Sequence, residues 1–533
     1  MLHSIRGTRG MATAPHALAA QSAVAVMRDG GDAVEAMIAA AATIAVVYPH
    51  MNSIGGDSFW LIHTPGSTPQ GIDGGGASAQ AATREWYRAR GITTSIPFRG
   101  GVAANTVAGT VSAWAAALER SRAMGGRLPL SRLLEDAIHY AAHGIPVTVS
   151  QADATAAKRA ELEPQPGFAA SFLPHGAVPS AGSLFVQARM ADTLRRLARA
   201  GLDDFYRGEL ALAQAADLAS AGSPIALSDL QAHRARWTTP LVLEHSLGRI
   251  YNTPPPTQGA VSLAILGMLD RLRIGALDPM GADFVHLAVE CTKQAFRRLR
   301  DPYITDPAHM EVDAQSLLSG AALDEMARAI DPRHAAAWGQ ARGPADTVWM
   351  GAIDGQGRAV SFIQSLYHEF GSGVVLSSTG VTWQNRGCSF SLDPAHINTL
   401  LPGKKPFHTL NPALALFNDG RTMVYGNMGG DGQPQSQSAV FSRIAAFGMR
   451  PQAAITAPRW LLGRTWGQVS DTLKLEARFP PAVVAELERR GHELELLQPF
   501  DERVGHAGAI VRHVDGVLEG GADPRSDGAV AAF

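Results

Sequence analysis

The sequence predicts an α+β fold on three observations. Helix-period segments crowd residues 1 to about 340, the period changes to that of strands at Thr347, and a loop of small and polar residues separates the two textures. Ala17 to Asp29 and Asp32 to Val47 carry apolar residues at i, i+3 and i+4 with Gly30-Gly31 between them, so two helices are expected there. Asp57 to Asp73 alternates as sheet does. Leu130 to His143, ended by Gly144 and Pro146, Met190 to Ala200, ended by Gly201, and Ala260 to Leu272 are further expected helices. From His334 to Asp346 the chain is loop-like, with Gly343-Pro344 as its strongest turn signal, and could be cut. Thr347 to Ile353, a turn at Asp354-Gly355-Gln356-Gly357, and Arg358 to Ser365 read as a hairpin, and two more strands frame loops between about 373 and 435.

A chain of 533 residues exceeds one ordinary hydrophobic core, so two closely packed halves or two domains are expected. A net charge of -2 gives no field that would gather nucleic acid or an anionic membrane. The run Arg297-Arg298-Leu299-Arg300, followed by Asp301-Pro302, reads as the solvated end of a helix. Cys291 and Cys388 are too far apart to suggest a disulfide framework or metal site and read as core thiols. Met1 to Ala12 lacks the apolar stretch of a secretory signal, and the longest apolar run, Met37 to Val47, is too short to span a bilayer, so a cytoplasmic enzyme is expected.

A threonine opening a strand is ordinarily structural. At Thr347 a cuttable loop precedes it and a hairpin follows, while Gly-x-Ser-x-Gly, His-Glu-x-x-His and Walker motifs are missing from the sequence. Cutting between Asp346 and Thr347 would expose an α-amine, ordinarily titrating near 7.7 to 8.0, that can accept the proton of the threonine's own hydroxyl. Oxyanion donors are also needed, and Gly429-Gly430, after a short apolar strand, can bring backbone N–H groups close to a substrate, although a plain turn would read the same. No cofactor is called for.

Gly30-Gly-Asp-Ala-Val-Glu-Ala36, Ile54-Gly-Gly-Asp-Ser-Phe59, Pro254-Pro-Pro-Thr-Gln-Gly259, Phe370-Gly-Ser-Gly373, Met428-Gly-Gly430 and Asp523-Pro-Arg-Ser-Asp-Gly528 occur in the order seen in the γ-glutamyltranspeptidases, and the chain resembles that family nearly end to end. The resemblance implies a four-layer αββα sandwich of the N-terminal nucleophile hydrolase type, formed jointly by a large fragment, 1–346, and a small one, 347–533. It implies Thr347 as nucleophile, Ser365 as its assisting hydroxyl, Gly429 and Gly430 as oxyanion donors, a small-molecule amide as substrate, and a dimer of such two-fragment units as a further assembly.

The family's arginine for a glutamyl α-carboxylate falls at Gly75 here, the asparagine after the assisting hydroxyl at Tyr367, the acid that holds the α-amine at Ser389, and the paired serines at His408-Thr409. Arg386 and His408 are new in that neighbourhood. Arg386 could fork a carboxylate, or serve only as a structural donor, and His408 could be an ordinary satisfied histidine with no partner at zinc spacing. Asp346 to Met350, Ser361 to Phe370, Pro458 to Gly467 and Gly505 to Gly508 resemble a narrower branch that hydrolyses oxamate to oxalate and ammonia in purine-derived nitrogen use. Such a substrate needs one carboxylate anchor and no amine pocket, so Arg386, His408, Thr409 and Tyr367 are the expected substrate-binding residues. Other readings are a γ-glutamyltransferase or glutathione hydrolase with a rebuilt pocket, a cephalosporin-type acylase, and an uncleaved, non-catalytic family member.

Overall fold

The computed structural model describes residues 3–339, 346–463 and 470–533. Residues 340–345 of the expected cutting loop and 464–467 of the branch motif lie outside the described residues. The side chain of Asp346 does too.

Two seven-stranded antiparallel sheets lie face to face between helices. One sheet runs in the order Ala529–Ala532, Gly10–Ala14, Asp346–Asp354, Ala359–Tyr367, Asp57–His63, Gln70–Gly74, Arg236–Thr238. The other runs Ile5–Gly7, Leu518–Ala522, Ala507–Arg512, Thr422–Asn427, Ala413–Phe417, Gly248–Asn252, Leu241–His245. Three apolar cores separate the four layers. Phe59, Leu61, Trp349, Ile353 and Ile363 of the first sheet meet Tyr251, Leu414, Val424 and Ile510 of the second. The outer face of the first sheet packs on helices that include Ala17–Arg28 and Ala33–Val47, and that of the second on Gly259–Arg271, Ala282–Ala295 and Gln433–Ala445. With both faces covered, Asp57–His63 is buried at every residue, and in place of the expected alternation its centre, Phe59 to Ile62, is a continuous apolar run.

The expected α+β class and four-layer arrangement are both present, and the five expected helices form, the third interrupted between Leu130–Leu133 and Glu135–His143. The glycine-rich segment at Gly30 is a helix start. Gly30 turns the chain at φ 90°, and the Asp32 carboxylate accepts from the N–H groups of Val34 and Glu35 at 2.9 and 2.8 Å. Glu35 accepts in return from the N–H of Asp32 at 3.2 Å, completing a capping box on a helix that is buried at every residue.

Two expectations are corrected. Arg297 and Arg298 are exposed, but Arg300 is fully buried in a π-helical turn, with Nη1 2.9 Å from the buried Asp431 carboxylate. Local charge density favoured a solvated end, whereas the deciding partner is 131 residues away. Cys291 is core, but Cys388 is only partly buried and lines a cavity. No helix among the described residues is long and apolar enough to cross a membrane.

Replacing Asp431 with alanine leaves the Arg300 guanidinium buried with one carboxylate fewer, so a loss of about 3–5 kcal/mol is expected. Denaturant unfolding of the variant checks this, and Arg300→Met/Asp431→Leu should recover most of the loss.

Candidate functional site

The site forms where the two sheets meet at the start of Asp346–Asp354. Asp346 pairs with Tyr367 and Val348 with Gln364, so Thr347 alone faces two residues, Ser365 and Leu366. Such a bulge re-aims side chains. It places the Thr347 hydroxyl 3.3 Å from Ser365 Oγ in a fully buried position. Ser365 Oγ accepts from the Tyr367 N–H at 2.8 Å, and Gln433 Nε2 lies 3.5 Å from Thr347 Oγ1. Tyr367 holds φ 84°, a conformation costly for any residue that carries a Cβ.

Gly429 and Gly430, at φ 122° and 53°, follow the strand Thr422–Asn427 and precede the helix Gln433–Ala445. Among the described residues neither N–H has a hydrogen-bond acceptor. The Gly430 carbonyl is fixed by Gln258 Nε2 at 2.9 Å, and the same nitrogen donates to the Thr409 carbonyl at 2.9 Å. Pro254–Gly259 thereby joins the glycine turn to the loop that carries His408 and Thr409.

A cavity of about 260 Å³ opens beside these groups, lined by Tyr367, Ser389, Phe407, Thr409 and Asp431 among others. A larger cavity, about 640 Å³ between His245, Asp270 and Phe441, holds none of the expected site residues. Of the four expected substrate-binding residues, Tyr367 and Thr409 line the smaller cavity, while Arg386 and His408 stand behind them. The Arg386 guanidinium lies over the Tyr367 ring, 4.1 Å from its centroid, and its Nη1 is 3.4 Å from Thr409 Oγ1. Its Nε and Nη2 are buried with no hydrogen-bond partner among the described residues. Burial draws its pKa down to about 10, so it remains a cation at neutral pH.

Asp57, absent from the expected set, is the hub of the wall behind Arg386. It pairs in the sheet with Ser365, and its Oδ1 accepts from the N–H groups of Gly76 and Gly109, both at 3.0 Å, and from Gln384 Nε2 at 3.1 Å. Oδ2 lies 3.4 Å from His408 Nε2, off the line of a hydrogen bond, and both ring nitrogens of His408 are otherwise unpartnered among the described residues. Burial pushes the Asp57 carboxyl up to about 7, against the opposing pull of Arg386 and the three donors. Burial, then Arg386 and Lys405, push the imidazole of His408 well below its usual value and keep it neutral. The sequence signal for Asp57 was the Ile54-Gly-Gly-Asp57 segment. A Cβ at Gly56 would come within 2.1 Å of the Ser365 carbonyl, so this strand approaches the Ser365 strand more closely than a side chain would allow.

His286, Glu290 and His492 form the one group among the described residues that could hold a metal ion. Their polar atoms already serve one another and the chain that leads to the cutting loop. The two rings share a hydrogen bond of 2.8 Å, and Glu290 takes Lys293 Nζ at 2.7 Å and the Ala336 N–H at 3.2 Å.

A family model described as gamma-glutamyltranspeptidase matches residues 19–533. The oxamate amidohydrolase proenzyme of Klebsiella pneumoniae is 59% identical over 527 residues, covering 99% of each chain. A glutathione hydrolase-like proenzyme of Bacillus subtilis is 39% identical over the whole of both chains. The crystal structure of cephalosporin acylase from Bacillus halodurans superimposes with a TM-score of 0.89 at 34% identity, covering 99% of this chain and 97% of that one.

Gly429→Ala puts a Cβ on a residue at φ 122°, a strain of about 1–3 kcal/mol that the turn would relieve by moving its N–H groups. The expected outcome is a folded protein whose kcat falls by more than tenfold with little change in KM, read from steady-state kinetics.

Proposed function

Because the chain belongs to the γ-glutamyltranspeptidase family of N-terminal nucleophile hydrolases and is homologous to autoprocessed amidohydrolase proenzymes, we propose that it cuts itself between Asp346 and Thr347 and then hydrolyses oxamate to oxalate and ammonia. The observation that carries the reading is the pairing of the buried Thr347 hydroxyl with Ser365, two residues before the Tyr367 ring that covers a buried arginine whose Nε and Nη2 are unpartnered among the described residues.

In the mature enzyme the Thr347 α-amine takes the hydroxyl proton as Oγ1 attacks the amide carbon. Ser365 relays or steadies that hydrogen-bond chain, and Gly429 and Gly430 donate to the developing oxyanion. Collapse of the tetrahedral centre breaks the C–N bond, the amine returns its proton to the leaving nitrogen, and ammonia departs. Water, deprotonated by the same amine, then attacks the acyl ester and releases oxalate. Arg386 anchors the substrate carboxylate through Nε and Nη2, Thr409 and Tyr367 shape the cavity, and neutral His408 backs the anchor. A two-carbon amide acid suits a site where Arg386 is a buried cation not paired to a carboxylate among the described residues. The 59% identity to the Klebsiella proenzyme favours it over a γ-glutamyl compound or a cephalosporin. The location proposed is cytoplasmic, which the unpaired state of Cys291 and Cys388 supports, with a dimer of two-fragment units as the assembly.

Mass spectrometry of the purified protein should give fragments 1–346 and 347–533, and Thr347→Ala should give one uncut chain that releases no ammonia. An uncut chain with full activity would overturn the reading. Arg386→Ala should raise KM for oxamate by about 10–100-fold, the worth of hydrogen bonds to a charged group. Since the amine must be unprotonated, kcat should fall about tenfold per pH unit below its pKa of about 7.7 to 8.0, as a stopped ammonia assay across pH 5.5–9 would record.

A further inference from the structure

Asp57 is a fully buried carboxylate that the reaction above leaves without a task. It shares one wall with the residues around Arg386. Arg386 Nη1 reaches Thr409 Oγ1, the preceding residue His408 faces Asp57 Oδ2 at 3.4 Å, and Gln384, two residues before Arg386, donates to Asp57 Oδ1. Three donors converge on Oδ1, whereas Oδ2 has no hydrogen-bond partner among the described residues. The oxygen left over is therefore the one able to carry a proton. Arg386 favours the ionised form of Asp57, and Asp57 in turn favours the charged form of Arg386.

Resting on the oxamate reading, we propose that Asp57 is a positioning residue that gates the carboxylate anchor by its charge: Arg386 binds a substrate anion when Asp57 Oδ2 carries a proton and loses that anion to competition when Oδ2 is ionised. Binding then takes one proton from solution onto Oδ2 and makes or breaks no other covalent bond. In a dry pocket one guanidinium cannot neutralise two carboxylates, and the second anion raises the energy of the first. With the free carboxyl already lifted to about 7 by burial, the gate works near neutral pH.

The other groups that face Asp57 do not replace it in this role. His408 is neutral, and burial pushes the phenol of Tyr206 far above the working range. Burial takes His233, beside Gly109, down to about 3. Lys405, on the loop before His408, is paired with Asp73 at 2.5 Å. The arrangement also explains why position 75 is glycine. A Cβ there would press to 3.1 Å from His408 Nε2, Asp73 Oδ1 and Phe59, so the ring that faces Asp57 occupies the space of a side chain at 75.

The test uses the mature two-fragment enzyme with two probes: oxamate turnover, and calorimetric binding of lactate, a monoanion with no amide to cut. For the wild type, KM for oxamate and Kd for lactate should rise about tenfold per pH unit above about 7, and binding at pH 8 should take up close to one proton, measured in buffers of different ionisation heat. Asp57→Asn keeps an acceptor for the three donors and should bind both anions with no pH dependence and no proton uptake, tighter than the wild type at pH 8 by about tenfold. His408→Gln should retain the proton uptake. If Asp57→Asn fails to mature, infrared difference spectra of the wild type decide, since lactate should increase the signal of a protonated carboxylic acid. Binding without proton uptake, or a pH slope unchanged in Asp57→Asn, overturns the gate and leaves the oxamate reading standing. Proton-coupled lactate binding with no ammonia from oxamate does the reverse. Failure of both anions to bind overturns the two together.

Discussion

Everything in this fold depends on burying the strand that begins at Thr347. From Val348 to Asp354 each residue is buried, with strands of both proposed fragments on either side. Gly10–Ala14 pairs along one edge, Ala359–Tyr367 along the other, and Asp57–His63 lies one strand beyond. The second sheet is mixed in the same way, with Gly248–Asn252 beside Ala413–Phe417 and Ile5–Gly7 beside Leu518–Ala522. Severing one peptide bond at the end of that strand therefore removes no core contact. On the proposed cut, the strand pairing and the three apolar layers would hold the pieces as a single folding unit and deliver the new terminus beside Ser365.

The same burial sets the chemistry. A hydroxyl at the head of a covered strand is out of water, so the polar groups beside it come from the neighbouring strand and the helix that begins at Gln433. The bulge brings Ser365 opposite Thr347, and Tyr367, at positive φ, turns its N–H back onto Ser365 Oγ. The strain at Tyr367 is offset by what it positions on both sides, one hydroxyl on its backbone and the Arg386 guanidinium on its ring face.

Much of this was legible in the sequence, because the signals were local. Period change at Thr347 and the Asp354–Gly357 turn each sit within a few residues, and the hydroxyls of Thr347 and Ser365 do meet across one strand pair. What was not legible is long-range. Arg300 read as solvent-facing because its neighbours are charged, and Asp431 was not considered because nothing nearby in the chain calls for it. Asp57 was visible only as part of a glycine-rich segment. Its importance arises from four separate stretches, around Gly76, Gly109, Gln384 and His408, converging on one carboxylate. Arg386 and His408 both lie near Thr409, but their depth behind Tyr367 and Thr409 is set by packing, which composition does not encode.

That depth bears on how specificity can arise without a large pocket. A cation at the mouth of a cavity is screened by water and accepts many anions, whereas a cation behind an aromatic ring is reached only by a group small enough to pass it. Under the proposed gate, the guanidinium behind Tyr367 shares its field with Asp57, and its attraction for a ligand would be tuned by a proton rather than by a second side chain in contact with the substrate. On that proposal, size exclusion and charge are set by different residues. A change at Tyr367 or Thr409 would widen the range of accepted acids, while a change at Asp57 would alter the pH at which any of them is held.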